Sequence, residues 1–478
     1  MKKELPEWVK KHKTSGTQII QIGNNYYLYK IKSIWDRKKG RARKVTEKYL
    51  GKITPQGIIK SKYERLKEGL TDITVKEFGA TDFCFSITSD IYELLKRYFP
   101  VYYKELYVFS MLRFFHCSTI KNVGHYYITS DLSDRIRDCK LSPKSISGML
   151  KYIGMKRKTM VDFLKNFLKG RKFQVIDLTH VFSYSEDIIS STLGHNSEGQ
   201  YIPQINLVMV FSLKERHPGF FRIVPGSIRD IKVLHKTIQE AEIKEAVIIA
   251  DKGFYSNSNV EFLQEHGLQY IIPLKRNTLL IDYSCIESAD RRGFDGFFIF
   301  EKRLIWHKEK VEKGRRVILF FDEKLKAEEE KDIVGHIDGG SFSIERFYEI
   351  QYRLGSISVI TNTDLNAKEV YELLKGRVEI EQSFDTLKNL LHADRVYLRD
   401  DFMLQGWMFV NFLSLLHYYR VYMKLREAEL LKKYSVKDLI IHLRRIYKLK
   451  IDNKWVTSEI PKTSRKILEK LNFNLHIT

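Results

Sequence analysis

The feature that most constrains the fold of this chain is a succession of short apolar runs that begins at Phe173. Three β-rich runs, FQVIDLTHVF, INLVMVFS and FFRIVPG, follow one another, and a helical stretch then leads into a fourth, AVIIAD. Short apolar runs combined with helical stretches are typical of strands buried in an α/β core. The sequence therefore predicts such a core, in which the first run contains Asp177 and the fourth ends at Asp251.

Three further regions flank this core. Residues 17–50 alternate β-forming residues around two turns, which predicts a three-stranded meander within a β-rich basic unit at 1–80. The region 81–170 has helical periodicity and a serine–proline pair typical of a helix start, so we expect a basic helical region. A basic helical tail is expected at 426–478.

The core itself is predicted at 171–425, interrupted at about 276–355 by a β-rich insertion with one acidic helix. Two helices are expected after the insertion, one from Asn366 to about Leu391 and one from Phe402 to about Leu425. The second helix contains the longest apolar stretch of the chain, but polar residues interrupt it. This pattern favours a buried helix over a membrane span.

The charge balance points to a polyanionic partner. The chain has 82 Lys and Arg residues against 59 Asp and Glu residues, a formal net charge of +23. Nucleic acid is the leading candidate, because basic surfaces gain affinity by releasing the counterions of phosphates. A surface that is merely solubilising, or one that binds anionic membrane, remains an alternative.

The terminal and cysteine patterns suggest an intracellular protein. No apolar segment follows the N-terminal lysines, so a secretory signal is not expected. We expect a cytoplasmic location instead. The four cysteines are scattered without a C-x-x-C pair, which indicates neither a disulfide framework nor a zinc site.

Two aspartates stand where chemistry is expected. Asp177 lies inside an apolar run, where a charge is costly to bury unless it is paired, hydrated or bound to a cation. Asp251 ends a buried strand, and open α/β sheets place their ligands at such ends. Each aspartate alone is more often a cap or a salt-bridge partner, but the pair favours a functional site.

A third acidic candidate lies in YELLKGRVEIEQSFDTLKNLL. Arg377, Glu381, Phe384 and Lys388 are spaced i, i+4, i+7 and i+11, which predicts one stripe along a helix. The stripe is either a solvated face with i,i+4 ion pairs, or a surface that offers Glu381 to a metal and the two cations to phosphates.

The same helix carries two rivals to Glu381. Glu379 is about 200° around the helix from Glu381 and cannot share its face. Asp385 can share that face, so helical geometry leaves both Glu381 and Asp385 open.

Together these motifs resemble those of the insertion-sequence DDE transposases that bear the Y-R-E-K signature. The resemblance rests on ADKGFYS after a strand, on R-x3-E-x6-K at Arg377, Glu381 and Lys388, and on the following ADRVYLRDD and GWMFVNFLSLL, and it covers most of the chain. The sequence departs from the signature at Leu374, where the family has its tyrosine. The nearest tyrosine, Tyr371, is interpreted as a packing residue.

The resemblance implies a multidomain α+β protein with an RNase H-like catalytic core and an inserted β-rich domain. Asp177 would lie on the opening strand, Asp251 at the end of the fourth strand, and Glu381 on a late helix. These three residues would be both the catalytic residues and the metal ligands. Carboxylates are hard oxygen ligands suited to Mg²⁺, with Mn²⁺ as a substitute. Two such ions support in-line phosphoryl transfer, which would cleave element ends and join them to target DNA.

The implied partners are terminal inverted-repeat and target DNA, bound by a homodimer in the cytoplasm of a prokaryote, in association with the nucleoid. The helices of 81–170 and a basic turn would contact the DNA, although the turn could equally be a solvated loop. The expected DNA-binding residues are Arg377, Lys388, Arg37, Lys38, Lys39, Arg41 and Arg43.

Three other interpretations remain open. The chain could be a transposase-derived DNA-binding protein that has lost catalysis, or another RNase H-like nuclease that cuts without joining. It could also be a basic multidomain protein with structural carboxylates, and in that case the three side chains would lie far apart.

Overall fold

The computed structural model describes the chain in segments, which are residues 4–36, 40–61, 64, 73–194, 202–228, 233–288, 290–312, 314–451 and 454–476. The chain divides into two compact units. The first comprises Met1–Lys76, Tyr447–Glu459 and Ile477–Thr478, and the second comprises Glu77–Ile446 and Ile460–His476.

The first unit contains the expected N-terminal meander. A short helix, α1, precedes four antiparallel strands in chain order, so the predicted three strands are confirmed and a fourth joins them. Val9, Leu28 and Ile53 form a small core beneath them. The elements are α1 (Glu7–Lys10), β1 (Thr17–Ile22), β2 (Asn25–Asp36), β3 (Arg41–Thr54) and β4 (Gly57–Ile59).

A second sheet corrects the expectation of a wholly helical tail. Strand β5 (Ile73–Glu77) joins β16 (Tyr447–Ile451) and β17 (Lys454–Thr457) in the order β17-β16-β5. Both tail strands are only four or five residues long and lie between helical segments. Short runs of this kind carry little periodicity, and long-range pairing with β5 decides their conformation.

The second unit opens with the helical region that the sequence predicts. Ser142 caps one of these helices by accepting a hydrogen bond from the Ser145 N–H, and Pro143 occupies its first turn, as expected from the serine–proline pair. The helices are α2 (Gly79–Tyr98), α3 (Tyr103–His116), α4 (Val123–Ile128), α5 (Leu132–Arg135), α6 (Pro143–Met155) and α7 (Arg157–Lys165).

The sheet of the second unit begins with five strands in the order β8-β7-β6-β9-β10. Strands β6, β7 and β8 are antiparallel neighbours, whereas β9 runs parallel to both β6 and β10. This topology confirms the RNase H-like core. The strands are β6 (Phe173–Ser183), β7 (Gln204–Ser212), β8 (His217–Pro225), β9 (Val247–Ala250) and β10 (Gln269–Pro273), with α8 (Val233–Ala241) and α9 (Asn257–Glu265) between them.

The β-rich insertion continues this sheet. Strand β14 pairs with β10, and β13, β12 and β11 then follow as antiparallel neighbours. The acidic helix expected within the insertion is α11. The elements are α10 (Ser284–Glu287), β11 (Gly296–Phe300), β12 (Arg303–Glu312), β13 (Arg315–Asp322), α11 (Glu323–Asp338), α12 (Ile344–Ile350) and β14 (Ser356–Thr361).

The helix expected from Asn366 to about Leu391 is interrupted. It forms α13 (Ala367–Gly376) and α14 (Val378–Asp385), followed by a π-helical turn over Thr386–Leu390. At Arg377 the hydrogen bonds tighten, since its N–H donates to the Leu374 carbonyl. The neighbouring Gly376 has a low helix propensity, which favours a break there.

A 27-residue helix, α15 (Asp401–Glu427), lies at the centre of the second unit. It confirms the second expected helix and packs against α3, α6 and β8. Short strand β15 (Arg395–Val396) precedes it, and α16 (Val436–Arg444) and α17 (Lys462–Lys470) follow. No helix in the described part of the chain is long and apolar enough to cross a membrane.

Candidate active site

The parallel pairing of β6 with β9 brings the two aspartates together. Ile176 of β6 pairs with Ala250 of β9, so Asp177 and Asp251 are the next residues on neighbouring strands. Strand β9 ends at this level, whereas β6 continues past it. Both aspartates thus lie at the carboxyl end of β9, where α/β sheets place their ligands.

Arg377 connects these aspartates to the helical glutamate. Its Nη1 lies 2.8 Å from Oδ1 of Asp251 and 3.8 Å from Oδ2 of Asp177, and its Nη2 lies 3.1 Å from Oε1 of Glu381. One guanidinium group therefore contacts all three carboxylates. Two oxygens that share one nitrogen at these distances are separated by far less than the roughly 10 Å that would exclude a shared two-metal site.

The three carboxylates differ in their solvation. The side chain of Asp177 is 15% exposed, that of Asp251 is 32% exposed and that of Glu381 is 51% exposed. Burial raises the pKa of Asp177 to about 7, and the charges of Asp251 and Glu381 act in the same direction. The Leu178 N–H, which donates to Oδ1 of Asp177 at 2.8 Å, and Arg377 both lower this pKa. The site therefore favours a cationic partner.

The structure separates Glu381 from its rivals on α14. Glu379 is 15% exposed and forms an ion pair of 2.9 Å with Nη1 of Arg216. Asp385 accepts a hydrogen bond of 2.5 Å from the side-chain amide of Asn389. Glu381 is thus the one of these three carboxylates that contacts Arg377.

The regular α-helix on which a single stripe was expected ends at Asp385, before Lys388. Arg377 and Glu381 do contact each other across one turn, but Phe384 is 7% exposed and belongs to the core. Lys388 lies half-buried in the π-helical turn, where the wider hydrogen-bond spacing changes the helical register. The tertiary packing of α14, and not an ideal α-helix, sets the direction of each side chain.

The oxygens of Asp177, Asp251 and Glu381 are chemically suited to bind divalent cations such as Mg²⁺, since all of them are carboxylate oxygens. Among the described residues, however, no group of three or more His, Cys, Asp or Glu side chains is close enough to hold a metal ion. The three carboxylates are instead arranged around the guanidinium of Arg377. Binding of divalent cations therefore requires Arg377 to give up these contacts.

The expected DNA-binding turn lies only partly within the described residues. Arg37, Lys38 and Lys39 lie outside the described residues, whereas Arg41 and Arg43 are exposed on β3. Beyond Lys30, β2 pairs with β3 alone among the described strands, which leaves a basic two-stranded ribbon. Its Trp35 is 64% exposed.

Tyr371 is a packing residue, as the sequence indicates. It is 2% exposed, and its ring lies 5.0 to 5.4 Å from the rings of Phe298, Phe300 and Phe320. Burial raises the pKa of its hydroxyl to about 12. These contacts join α13 to the β-rich insertion, because two of the phenylalanines belong to β11 and one to β13.

Two features of the site were not found from the sequence. The sequence pattern offers Arg377 to phosphates or to an i,i+4 ion pair, and its contacts with Asp177 and Asp251 depend on long-range packing that no spacing reveals. Arg216, the partner of Glu379, carried no motif. No sequence signal pairs Arg216 with Glu379, because the ion pair joins distant parts of the chain.

A family comparison agrees with this architecture. The family model described as the transposase DDE domain matches residues 169–416, which is more than half of the chain. This chain belongs to the family of transposase DDE domains. No curated protein sequence matches it significantly.

Solved structures with partial similarity are also transposases. A piggyBac transposase synaptic complex with hairpin DNA, solved by cryo-EM, is 12% identical, with 71% of this chain and 69% of that chain covered and a TM-score of 0.39. The Mos1 transposase in a paired-end complex with the left transposon end is 8% identical, with 32% and 53% covered and a TM-score of 0.15.

Proposed function

We propose that this protein is a DNA transposase that cleaves the ends of an insertion element and joins them to target DNA. The observation that carries the proposal is the convergence of Asp177, Asp251 and Glu381 on one guanidinium. Membership of the transposase DDE family and the formal charge of +23 support the same function.

Asp177, Asp251 and Glu381 would hold two Mg²⁺ ions, for which Mn²⁺ could substitute. When bound, such ions activate an attacking hydroxyl and stabilise the leaving oxygen of a phosphodiester. Burial of Asp177 makes its charge expensive without a cationic partner, which favours occupation of this site. The greater exposure of Glu381 leaves the site open to a substrate as large as DNA.

Arg377 would change partner when DNA binds. A guanidinium matches the paired oxygens of a phosphate as well as those of a carboxylate, so a backbone phosphate can take over its hydrogen bonds. Arg377 and Lys388 would then neutralise phosphates beside the scissile bond. Water as nucleophile would release the element end, and the new 3′-hydroxyl would attack target DNA by the same in-line displacement.

The basic ribbon of β2 and β3 is a candidate contact for the terminal inverted repeats. A two-stranded ribbon fits the major groove of B-DNA. Arg41 and Arg43 would lie at this contact, together with Arg37, Lys38 and Lys39 of the connecting turn. The helical region 81–170 is a second proposed DNA-binding element. We further propose a homodimer that acts on two element ends, in the cytoplasm and at the nucleoid.

Cleavage of DNA that carries the element's own ends tests the proposal. In the presence of Mg²⁺ or Mn²⁺, we expect the protein to cleave at the ends, and we expect Asp177→Ala, Asp251→Ala and Glu381→Gln to abolish cleavage. Asp385→Asn is a matched control on the same helix and should cleave normally, because Asp385 bonds Asn389 instead.

The outcomes separate the alternatives. Cleavage that persists in all three active-site variants would refute the assigned residues. Binding of the ends without cleavage by the wild-type protein would identify a repurposed DNA-binding protein. Cleavage without joining to a target plasmid would identify a nuclease.

A further inference from the structure

Two tyrosines form an exposed stacked pair away from the carboxylates. The rings of Tyr184 and Tyr397 are almost parallel, with an interplanar angle of 11° and centroids 5.9 Å apart. Tyr184 is 49% exposed and Tyr397 is 71% exposed. Large rings are costly to leave in water, so an exposed stacked pair is a candidate binding surface.

The backbone holds both rings at the same level. Strand β15 runs parallel to the end of β6, where Val396 pairs with Ser183, so Tyr397 and Tyr184 each come directly after a paired strand residue. The following loop is fixed as well, because the carboxylate of Asp401 accepts hydrogen bonds from the N–H groups of Ile189 and Ser190 at 2.9 and 3.1 Å. This arrangement reduces the ordering cost of binding a ligand.

Basic residues accompany the rings. Along 395–399 the side chains alternate between exposed and buried, which directs Arg395, Tyr397 and Arg399 outward. The guanidinium carbon of Arg395 lies 5.9 Å from the centroid of the Tyr184 ring, and its Nε lies 3.6 Å from Asp394. Among the described residues, Arg399 has no ion pair.

We propose that Tyr184 and Tyr397 form a stacking site for the unpaired bases of single-stranded DNA, with Arg395 and Arg399 on its phosphates. Aromatic rings interleaved with cations are suited to single strands, because every base offers a flat face and every linkage a negative charge. An apolar protein partner is less favoured, since arginines flank Tyr397 on both sides in the chain.

The position of the pair fits the proposed cleavage reaction, on which this inference rests. Tyr184 comes seven residues after Asp177 and directly follows Ser183, the last residue of β6. At about 3.3 Å per residue, the rings lie roughly 23 Å further along the strand. This distance equals about seven nucleotides at the 3.4 Å rise of a strand within a duplex, and an extended single strand spans it with fewer. The rings therefore lie within reach of a DNA strand that extends from the proposed cleavage point.

Binding of a fluorescein-labelled oligothymidylate of about 12 nucleotides tests this site, with a duplex of the same length as the second probe. Anisotropy is measured at fixed salt without divalent cations, so the result does not depend on cleavage. We expect Tyr397→Ala and Tyr184→Ala each to weaken binding of the single strand about tenfold and to leave duplex binding unchanged.

Two controls separate stacking from structural damage. Tyr397→Phe should bind the single strand like wild type, because stacking does not need the hydroxyl. Tyr348→Ala removes another exposed tyrosine, which is 60% exposed on α12, and should have no effect. Unchanged affinity of Tyr397→Ala for the single strand, or an equal loss for both probes, would overturn the inference. Neither result would bear on cleavage at Asp177.

Discussion

Nη1 of Arg377 lies 2.8 Å from Oδ1 of Asp251, at the junction of two helices and the end of a strand that are distant in sequence. The same guanidinium contacts Asp177 and Glu381. A single guanidinium therefore reduces the repulsion among three carboxylates. This contact makes Arg377 the residue on which the geometry of the site depends.

Replacement of Arg377 by glutamine should lower the single-turnover rate of DNA cleavage by about 100-fold or more, because a positioned charge on the reacting phosphate is lost. Arg377→Lys should give an intermediate rate, since one ammonium cannot form two parallel hydrogen bonds. Arg292→Gln is the control, because this arginine is 91% exposed and pairs locally with Asp290. Wild-type rates for Arg377→Gln would contradict the prediction.

Tyr371 should prove structural and not catalytic. Tyr371→Phe keeps the contacts with Phe298, Phe300 and Phe320, so we expect normal stability and cleavage. Tyr371→Ala leaves a cavity and should lower the free energy of unfolding by about 3 to 5 kcal/mol. Urea denaturation and cleavage rates measure the two effects. A stable Tyr371→Phe protein that fails to cleave would show a chemical role for the hydroxyl.

Helices α6 and α15 approach each other closely at two glycines. A Cβ atom on Gly406 would lie 2.1 Å from the Leu150 carbonyl oxygen, and one on Gly154 would lie 1.8 Å from the Phe402 carbonyl oxygen. Backbone atoms cannot move aside cheaply, so Gly406→Ala should destabilise the protein by about 1 to 3 kcal/mol.

Gly148→Ala is the matched control for this crossing. It lies on α6, the helix of Gly154, and an added Cβ atom there would meet nothing within 4 Å. Because alanine favours helix over glycine, we expect unchanged or slightly raised stability in thermal unfolding. An equal loss of stability in Gly148→Ala and Gly406→Ala would exclude close packing as the cause.

His417 should make the fold sensitive to acid. It is fully buried on α15 with its Nε2 3.0 Å from Oγ of Ser110, and burial lowers its pKa to about 3. In the unfolded chain this imidazole is protonated below about pH 6.5, whereas in the folded chain it stays neutral until about pH 3. The free energy of unfolding therefore falls as the pH drops from about 6.5 towards 3. At pH 5 the free energy of unfolding should be about 2 kcal/mol lower than at neutral pH because of this histidine.

The measurement for His417 compares urea denaturation at pH 7 and pH 5 in the wild type and in His417→Gln. Burial raises the pKa of Glu77, but hydrogen bonds to His116 and Arg444 outweigh it and lower the pKa from 4.5, so the stability that Glu77 contributes is lost mainly below this pH window. The variant should therefore lose only the share due to His417. An identical pH dependence in both proteins would contradict the prediction.

Much of the core could be predicted because its signals are local. The apolar runs around Asp177 and Asp251 identified both strands, since strands buried on both faces read as continuous apolar segments. The capped start of α6 and the apolar length of α15 were equally clear. The short strands of the tail, Tyr447–Ile451 and Lys454–Thr457, were missed because their pairing with β5 is a long-range contact.

The helix that carries Glu381 shows what local sequence patterns could not predict. Spacing on an ideal helix could not separate Glu381 from Asp385, nor reveal the break at Arg377 or the π-helical turn that contains Lys388. The packing of α14 against the sheet decides these points. The Oγ of Ser383 on this helix lies 3.2 Å from the sulfur of Met209 on β7, which fixes one face inward and leaves Glu381 at the site.

The sequence by itself determined the strands of the core, the long helix α15 and which core strands carry acidic residues, because side-chain periodicity and capping act over a few neighbouring residues. Only the tertiary structure decided that Asp177, Asp251 and Glu381 meet at Arg377, and that Tyr184 stacks on Tyr397. Such contacts join distant parts of the chain. Burial of the whole core offsets the loss of chain entropy that closing these long loops requires. No local sequence pattern shows which distant residues this burial brings together.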